Sequence, residues 1–166
     1  MDRDEGIGRR RLLATLGSGA AIGVAGCLGS GSSSEPAYES GDVPGEIDGE
    51  ERTAEETTAA ESMAEQTPQA DLAPLDALSL VEHGFVFEEG YTGSTVQGTA
   101  ENDGDERLDS AEARVRVYND EGEQLGLYLD SVSDLEGGSE WAFEVVLLES
   151  PEDIADYDIA AVGLPD

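Results

Sequence analysis

AEARVRVYN, residues 111–119, alternates without a break: Ala111, Ala113, Val115 and Val117 fall on one phase, and Glu112, Arg114, Arg116 and Tyr118 on the other. A period of two is that of a strand with one buried face and one wet face. The pattern returns in SEWAFEVVL (139–147), where Trp141, Phe143, Val145 and Leu147 alternate with Glu140, Ala142, Glu144 and Val146. Weaker strands are predicted at 78–88 (LSLVEHGFVFE), 94–102 (STVQGTAEN), 124–135 (QLGLYLDSVSDL) and 157–162 (YDIAAV). Turn-forming clusters separate them: EEGYTG, NDGDE, NDEGE, LEGGS and ESPED. Ser150-Pro151-Glu152-Asp153 has the form of a capped helical start, which predicts one helical turn before the last strand. Six to seven short strands in the 91 residues 76–166 predict an all-β fold, a small antiparallel β-sandwich with one core.

Upstream, GRRRLLATLGSGAAIGVAGC (8–27) has a different grammar. Three arginines precede a short apolar run that is interrupted by glycines, too short for the roughly 20 residues of a membrane span and too rich in glycine for a core helix. Basic, apolar, then small residues is the layout of a secretory signal. The arrangement around Arg9 and Arg10 resembles the twin-arginine export signal, and Val24-Ala25-Gly26-Cys27 resembles the lipobox of lipoprotein signals. By that resemblance 1–26 is a signal peptide, drawn as a helix in the precursor, and Cys27 becomes a lipid-bearing mature N-terminus. Cys27 is the chain's one cysteine, which excludes an internal disulfide and a cysteine-based zinc cluster. Two acyl or alkyl chains on it would hold the protein at a membrane.

The chain carries 39 acidic residues against 8 basic ones, all arginine, with no lysine. Removing 1–26 takes away Asp2, Asp4, Glu5 and four arginines, leaving 36 acids against 4 arginines, a net charge of −32. Self-repulsion at that charge is screened in molar salt, where the Debye length is about 3 Å. A lysine-free, acid-saturated exported protein resembles those of extremely halophilic archaea. The charge argues against nucleic acid or anionic lipid headgroups as partners. Residues 27–75 hold 12 acids, a single arginine (Arg52) and Tyr38 as sole aromatic, a composition that predicts a disordered acidic linker. EERTAEETTAAESMAEQ (50–66) favours helix but shows no apolar stripe, so no docked helix is expected.

Val115-Arg116-Val117-Tyr118-Asn119, followed by Asp120-Glu121-Gly122, resembles the motif that names the FxLYD domain, with Tyr118 the identical residue. Thr99–Gly104, Leu135–Ser139 and Tyr157-Asp158-Ile159 are similar to that family's edge, turn and closing strand, so the resemblance spans about 85–163. It implies an immunoglobulin-like sandwich on exported, often lipid-anchored prokaryotic proteins, and brings no catalytic residues with it.

No reaction centre is expected. Glu101–Glu106 has acids at close spacing but lacks the glycine and the distal glutamate of a calcium loop, so an Asn-Asp-Gly turn is the reading and no metal or cofactor is predicted. His83 is the sole histidine and cannot build a zinc site alone; no serine has a nucleophile-elbow setting. Arg107, Arg114 and Arg116 are expected to pair with neighbouring acids. Tyr118, Tyr128, Tyr91 and Tyr157 could form an outward aromatic patch, with Tyr118 and Tyr128 the candidate partner-binding residues. Together these predict a non-enzymatic lipoprotein on the extracellular side of the cell membrane, presenting an interaction or accessory module to a cell-surface protein. The alternative is a small solute- or cation-binding lipoprotein serving a transporter.

Overall fold

The computed structural model describes residues 35–45, 47 and 49–166. The signal segment with Arg9 and Arg10, and Cys27, lie outside the described residues.

Seven strands form two antiparallel sheets. β1 (Glu39–Asp42), β4 (Leu108–Tyr118), β5 (Gln124–Leu135) and β7 (Asp156–Pro165) make one sheet in the order β1-β7-β4-β5. β2 (Leu78–Glu88), β3 (Gly93–Asn102) and β6 (Ser139–Val146) make the other in the order β2-β3-β6. This is the predicted all-β sandwich, and β2 and β5 have the bounds the alternation gave. A 3-10 turn at Pro151–Asp153 precedes β7, as predicted, but the Ser150 side chain makes no capping hydrogen bond.

The core lies between the sheets, where the inward phase of β4, Ala111, Ala113, Val115 and Val117, is fully buried. Val115 stands opposite Ile159 on β7 and Tyr128 on β5, and Val117 opposite Tyr157. Phe143, Val145 and Leu147 from β6 and Val96 and Ala100 from β3 fill the facing layer. Trp141, also predicted inward, is half-buried and tilts against Phe143 with ring centroids 5.7 Å apart. The open seam between the sheets is bridged where Asp130 of β5 accepts a hydrogen bond from the Glu144 amide of β6 at 3.0 Å.

The stretch read as a disordered linker departs from that reading in its described part. β1 pairs with β7 from Glu39–Ile159 to Asp42–Asp156. Gly41 permits it, since a methyl group there would overlap the Tyr157 ring that lies across the strand. A helix, α1 (Ala54–Ala64), follows, with a capping box in which the Thr53 side chain accepts from the Glu56 amide and the Glu56 carboxylate accepts from the Thr53 amide. α1 docks through Ala60, which is fully buried, although its apolar stripe is as weak as the sequence suggested. Beyond it the chain runs as a strap over the outer face of the four-stranded sheet. Ser131 Oγ donates to Gln66 Oε1, the Gln69 amide donates to Glu112, and Ala73 forms an isolated bridge with Gly163. Composition failed here because a few specific pins, rather than average hydrophobicity, hold the segment down.

The strap changes the outer face of β4. Glu112, on the phase predicted to be wet, is 1% exposed, and its carboxylate is 2.7 Å from the Arg114 guanidinium. Ala160 and Val162, on the same face of β7, and Leu72 of the strap are buried as well.

Candidate functional site

Two places on the sandwich gather polar side chains that alternation alone would scatter. On the outer face of the four-stranded sheet, Arg116 of β4 faces Asp158 of β7 across the ladder and binds both of its carboxylate oxygens, Nε at 2.8 Å. Tyr38, just before β1, places its ring 3.5 Å from the guanidinium carbon, a cation–π contact. Tyr118 donates its hydroxyl to the same Asp158 at 3.1 Å. The Asp158 hydrogen bond raises the Arg116 pKa, and burial is the main cause that raises that of Tyr118. Tyr118 is thus half-buried with its hydroxyl committed.

Tyr128 points into the other place. Its hydroxyl donates to Glu149 Oε1 at 2.8 Å, and burial, reinforced by that carboxylate, pushes the phenol pKa well up. Tyr157 is 2% exposed in the core and its phenol is pushed up to about 12 by burial, with Asp42 adding to the effect. Tyr91 is 50% exposed. The four tyrosines therefore sit in four settings and form no common patch.

Beside Glu149 the sandwich ends in a cavity of about 190 Å³, between the β2–β3 turn and the segment that follows β6. Phe87, Ser94, Leu148 and the acidic residues Glu50, Glu51 and Glu149 are among those that line it, and Arg52 closes one side. The Arg52 guanidinium donates to the carbonyls of Tyr91 (3.0 Å), Thr92 (2.6 Å) and Leu147 (2.8 Å), so it fastens the segment before α1 to both β2–β3 and β6. Gly93 accommodates it, with φ +55 and a position for Cβ that would lie 2.5 Å from the guanidinium. Burial lowers the Arg52 pKa, while Tyr128, Glu149 and Glu56 oppose that shift. Glu149 Oε2 and Ser94 Oγ are buried and have no hydrogen-bond partner among the described residues. Ser94 is 1% exposed and has no base paired to it, as a nucleophilic serine would.

Arg52, Ser94 and Glu149 were not singled out from the sequence. The one available signal was that Arg52 is the lone cation among 12 acids in 27–75. The other sites that were weighed have structural partners. Asn102 of the Glu101–Glu106 loop is fully buried, donates to the carbonyls of Glu106 and Leu135, and accepts from the Gly104 amide, which makes it the pivot of a turn. His83 Nδ1 lies 2.8 Å from the Tyr157 hydroxyl. Arg107 is held between Asp134 and Asp166. Among the described residues no group of three or more histidine, cysteine or acidic side chains is arranged to hold a metal ion.

No family model matches the chain. The FxLYD resemblance therefore rests on the quoted residues alone. An uncharacterized protein of Methanocaldococcus jannaschii is 29% identical over 85 residues, 50% of this chain, and the chain spans 62% of that relative's length. Among solved structures, the solution NMR structure of the uncharacterized lipoprotein YajI from Escherichia coli aligns over 73% of this chain and 86% of its own. Its TM-score is 0.34 at 11% identity, values at which neither fold nor role transfers.

Proposed function

We propose that this chain is an exported lipoprotein of the outer face of the cell membrane, anchored through Cys27, whose sandwich is a non-catalytic interaction or accessory module. The observation that carries the reading is the order of parts in 8–27: paired arginines Arg9 and Arg10, an apolar run, then small residues ending on the chain's sole cysteine. An acid-rich, lysine-free composition and an archaeal relative support a halophilic archaeal setting, and the quoted motifs support an FxLYD-like sandwich.

The described arginines, Arg52, Arg107, Arg114 and Arg116, all bind partners within the chain, which leaves a strongly acidic exterior to meet any partner. Such a surface selects neutral or basic protein faces and rejects polyanions. A second reading, a small-solute-binding lipoprotein serving a transporter, draws support from the cavity beside Glu149.

The test is fractionation of cells expressing the wild type and Cys27→Ser. The wild type should sediment with membranes and partition into detergent; the variant should be unprocessed and lack lipid. A Cys27→Ser protein that is processed and membrane-bound like the wild type overturns the anchor. Arg9→Lys with Arg10→Lys should block export, and undiminished export would place the protein on another route. Crosslinking in intact cells at native salt should capture a discrete surface protein.

A further inference from the structure

A sheet edge recruits further strands unless shortness, a bulge, charge or cover blunts it. Among the described residues the two sheets have four edges, and three are blunted. β1 is four residues long, β2 breaks register at Val81, and β6 exposes Glu140 and Glu144 and is tied to β5 by the Asp130 hydrogen bond. β5 ends the four-stranded sheet, and before Asp130 it has no such protection. Its residues 124–129, QLGLYL, carry no charge. Leu125 and Leu127 are 38% and 41% exposed on the outer phase. Leu129, beside the strap that binds Arg114 through Gln69 and Ser131 through Gln66, is 4% exposed. The strap therefore covers one end of this face and leaves the other open.

We propose that residues 124–129 of β5 take up an extended segment of a neighbouring protein as an added strand, one with apolar residues at alternate positions and lysine or arginine at both ends. The proposal deepens the interaction-module reading and rests on it. A strand paired on one side only leaves every second backbone N–H and C=O free for such a segment. Its apolar side chains would stand beside Leu125 and Leu127, since the inner phase is already filled: a Cβ at Gly126 would lie 2.6 Å from Glu149 Oε1 and from the Tyr128 ring. Charge sets the ends. Glu121 and Glu123 are exposed before the window, and Asp130 closes it. Arg116 and Arg114, across the ladder from Leu127 and Leu129, are neutralised by Asp158 and Glu112. A cation at each end of the incoming strand thus meets a carboxylate. A second copy of this chain does not fit. Antiparallel self-pairing of 124–129 sets Glu123 of each copy against Asp130 of the other and joins two chains of net charge −31.

The experiment is fluorescence anisotropy and hydrogen exchange on the full chain in detergent, at the lowest salt at which it stays folded. The probes are three labelled peptides: KTVTVTVK, the same peptide with glutamate at both ends, and the same with its two central residues replaced by proline. The lysine-ended peptide should bind saturably and slow the exchange of amides in 124–129. The glutamate-ended one should bind roughly tenfold more weakly or worse, and the proline one not measurably. Leu127→Lys should weaken binding of the lysine-ended peptide roughly tenfold with Tm held, because a cation now guards an exposed edge position. Leu125→Lys serves if Leu127→Lys does not fold, and Val81→Lys, on the bulged β2, should bind as the wild type does. Four results overturn the proposal: no saturable binding, protection that falls outside β5, equal affinity for the lysine-ended and glutamate-ended peptides, or wild-type affinity in the folded β5 variant. A dimer in sedimentation that Leu127→Lys dissolves also overturns it, by making a second copy the occupant. Each of these removes the β5 surface alone; the interaction-module reading falls only if crosslinking in intact cells captures no partner.

Discussion

Arg52→Met keeps the length and apolar stem of the side chain and removes three hydrogen bonds at once, those to the carbonyls of Tyr91, Thr92 and Leu147. Hydrogen bonds from a charged donor contribute about 1.5–3 kcal/mol each in isolation, but three from one guanidinium do not add. The Tyr91 carbonyl bond is exposed and water replaces the donor; the Thr92 and Leu147 bonds are part-buried, and their oxygens are left short of a partner. Losing those two sets the cost at about 3 kcal/mol, or roughly 10 °C in Tm for a domain of this size. Because Arg52 ties the segment before α1 to the β2–β3 turn and the end of β6, the loss should be local as well as global. Equilibrium urea unfolding reads the global term, and native-state hydrogen exchange should show amides of 54–64 opening while those of β4 keep their protection. Arg52→Lys should fall between, since one ammonium cannot span the three carbonyls that the planar guanidinium reaches. A cost below about 0.5 kcal/mol with unchanged exchange in α1 would refute the argument that this single cation holds the segment in place.

Arg114→Ala leaves the Glu112 carboxylate buried without its cation and should cost about 3–5 kcal/mol, whereas Glu112→Leu with Arg114→Met should recover most of it; urea unfolding that shows Arg114→Ala near neutral would mean that water reaches the carboxylate. The Tyr157 phenol, held at about 12 against an ordinary value near 10, binds a proton in the folded chain that the unfolded chain releases in between. That stabilisation is intact below pH 10 and is lost as pH rises through about 12, by about 2–3 kcal/mol, with Tyr128 acting in the same direction. Tyr157→Phe should flatten the pH dependence across that window, and an unchanged slope in pH-jump unfolding would remove Tyr157 as its source.

The strands were legible because alternation is a local property and the burial it implies is the same wherever the partner sheet comes from. Ala111, Ala113, Val115 and Val117 needed no tertiary information to be placed inward. Their neighbours did. Glu112 read as solvent-facing because its own strand says nothing of a strap arriving from Gln69, 43 residues earlier. The same limit applies to the end cavity, where Arg52 is 95 residues from the Leu147 carbonyl it binds and Tyr128 is 21 from Glu149. Average composition then misjudged 39–75: a capping box, a glycine that lets an aromatic ring lie flat on β1, and one guanidinium stabilise it without an apolar stripe. Tyr118 was rightly placed on the outer phase, but only the register to Asp158 shows that its hydroxyl is spent at home.

The docking of β1 also sets a leash. Read as linker, 48 residues separate Cys27 from Asp76 and could carry a sandwich as far as roughly 170 Å from its anchor. With Tyr38 clamped on Arg116, only residues 28–37 intervene, a reach of about 40 Å at full extension. On the proposed anchoring at Cys27, the sandwich would stay within that distance of the bilayer, in reach of proteins of the same membrane. Its effective concentration toward them would be correspondingly high.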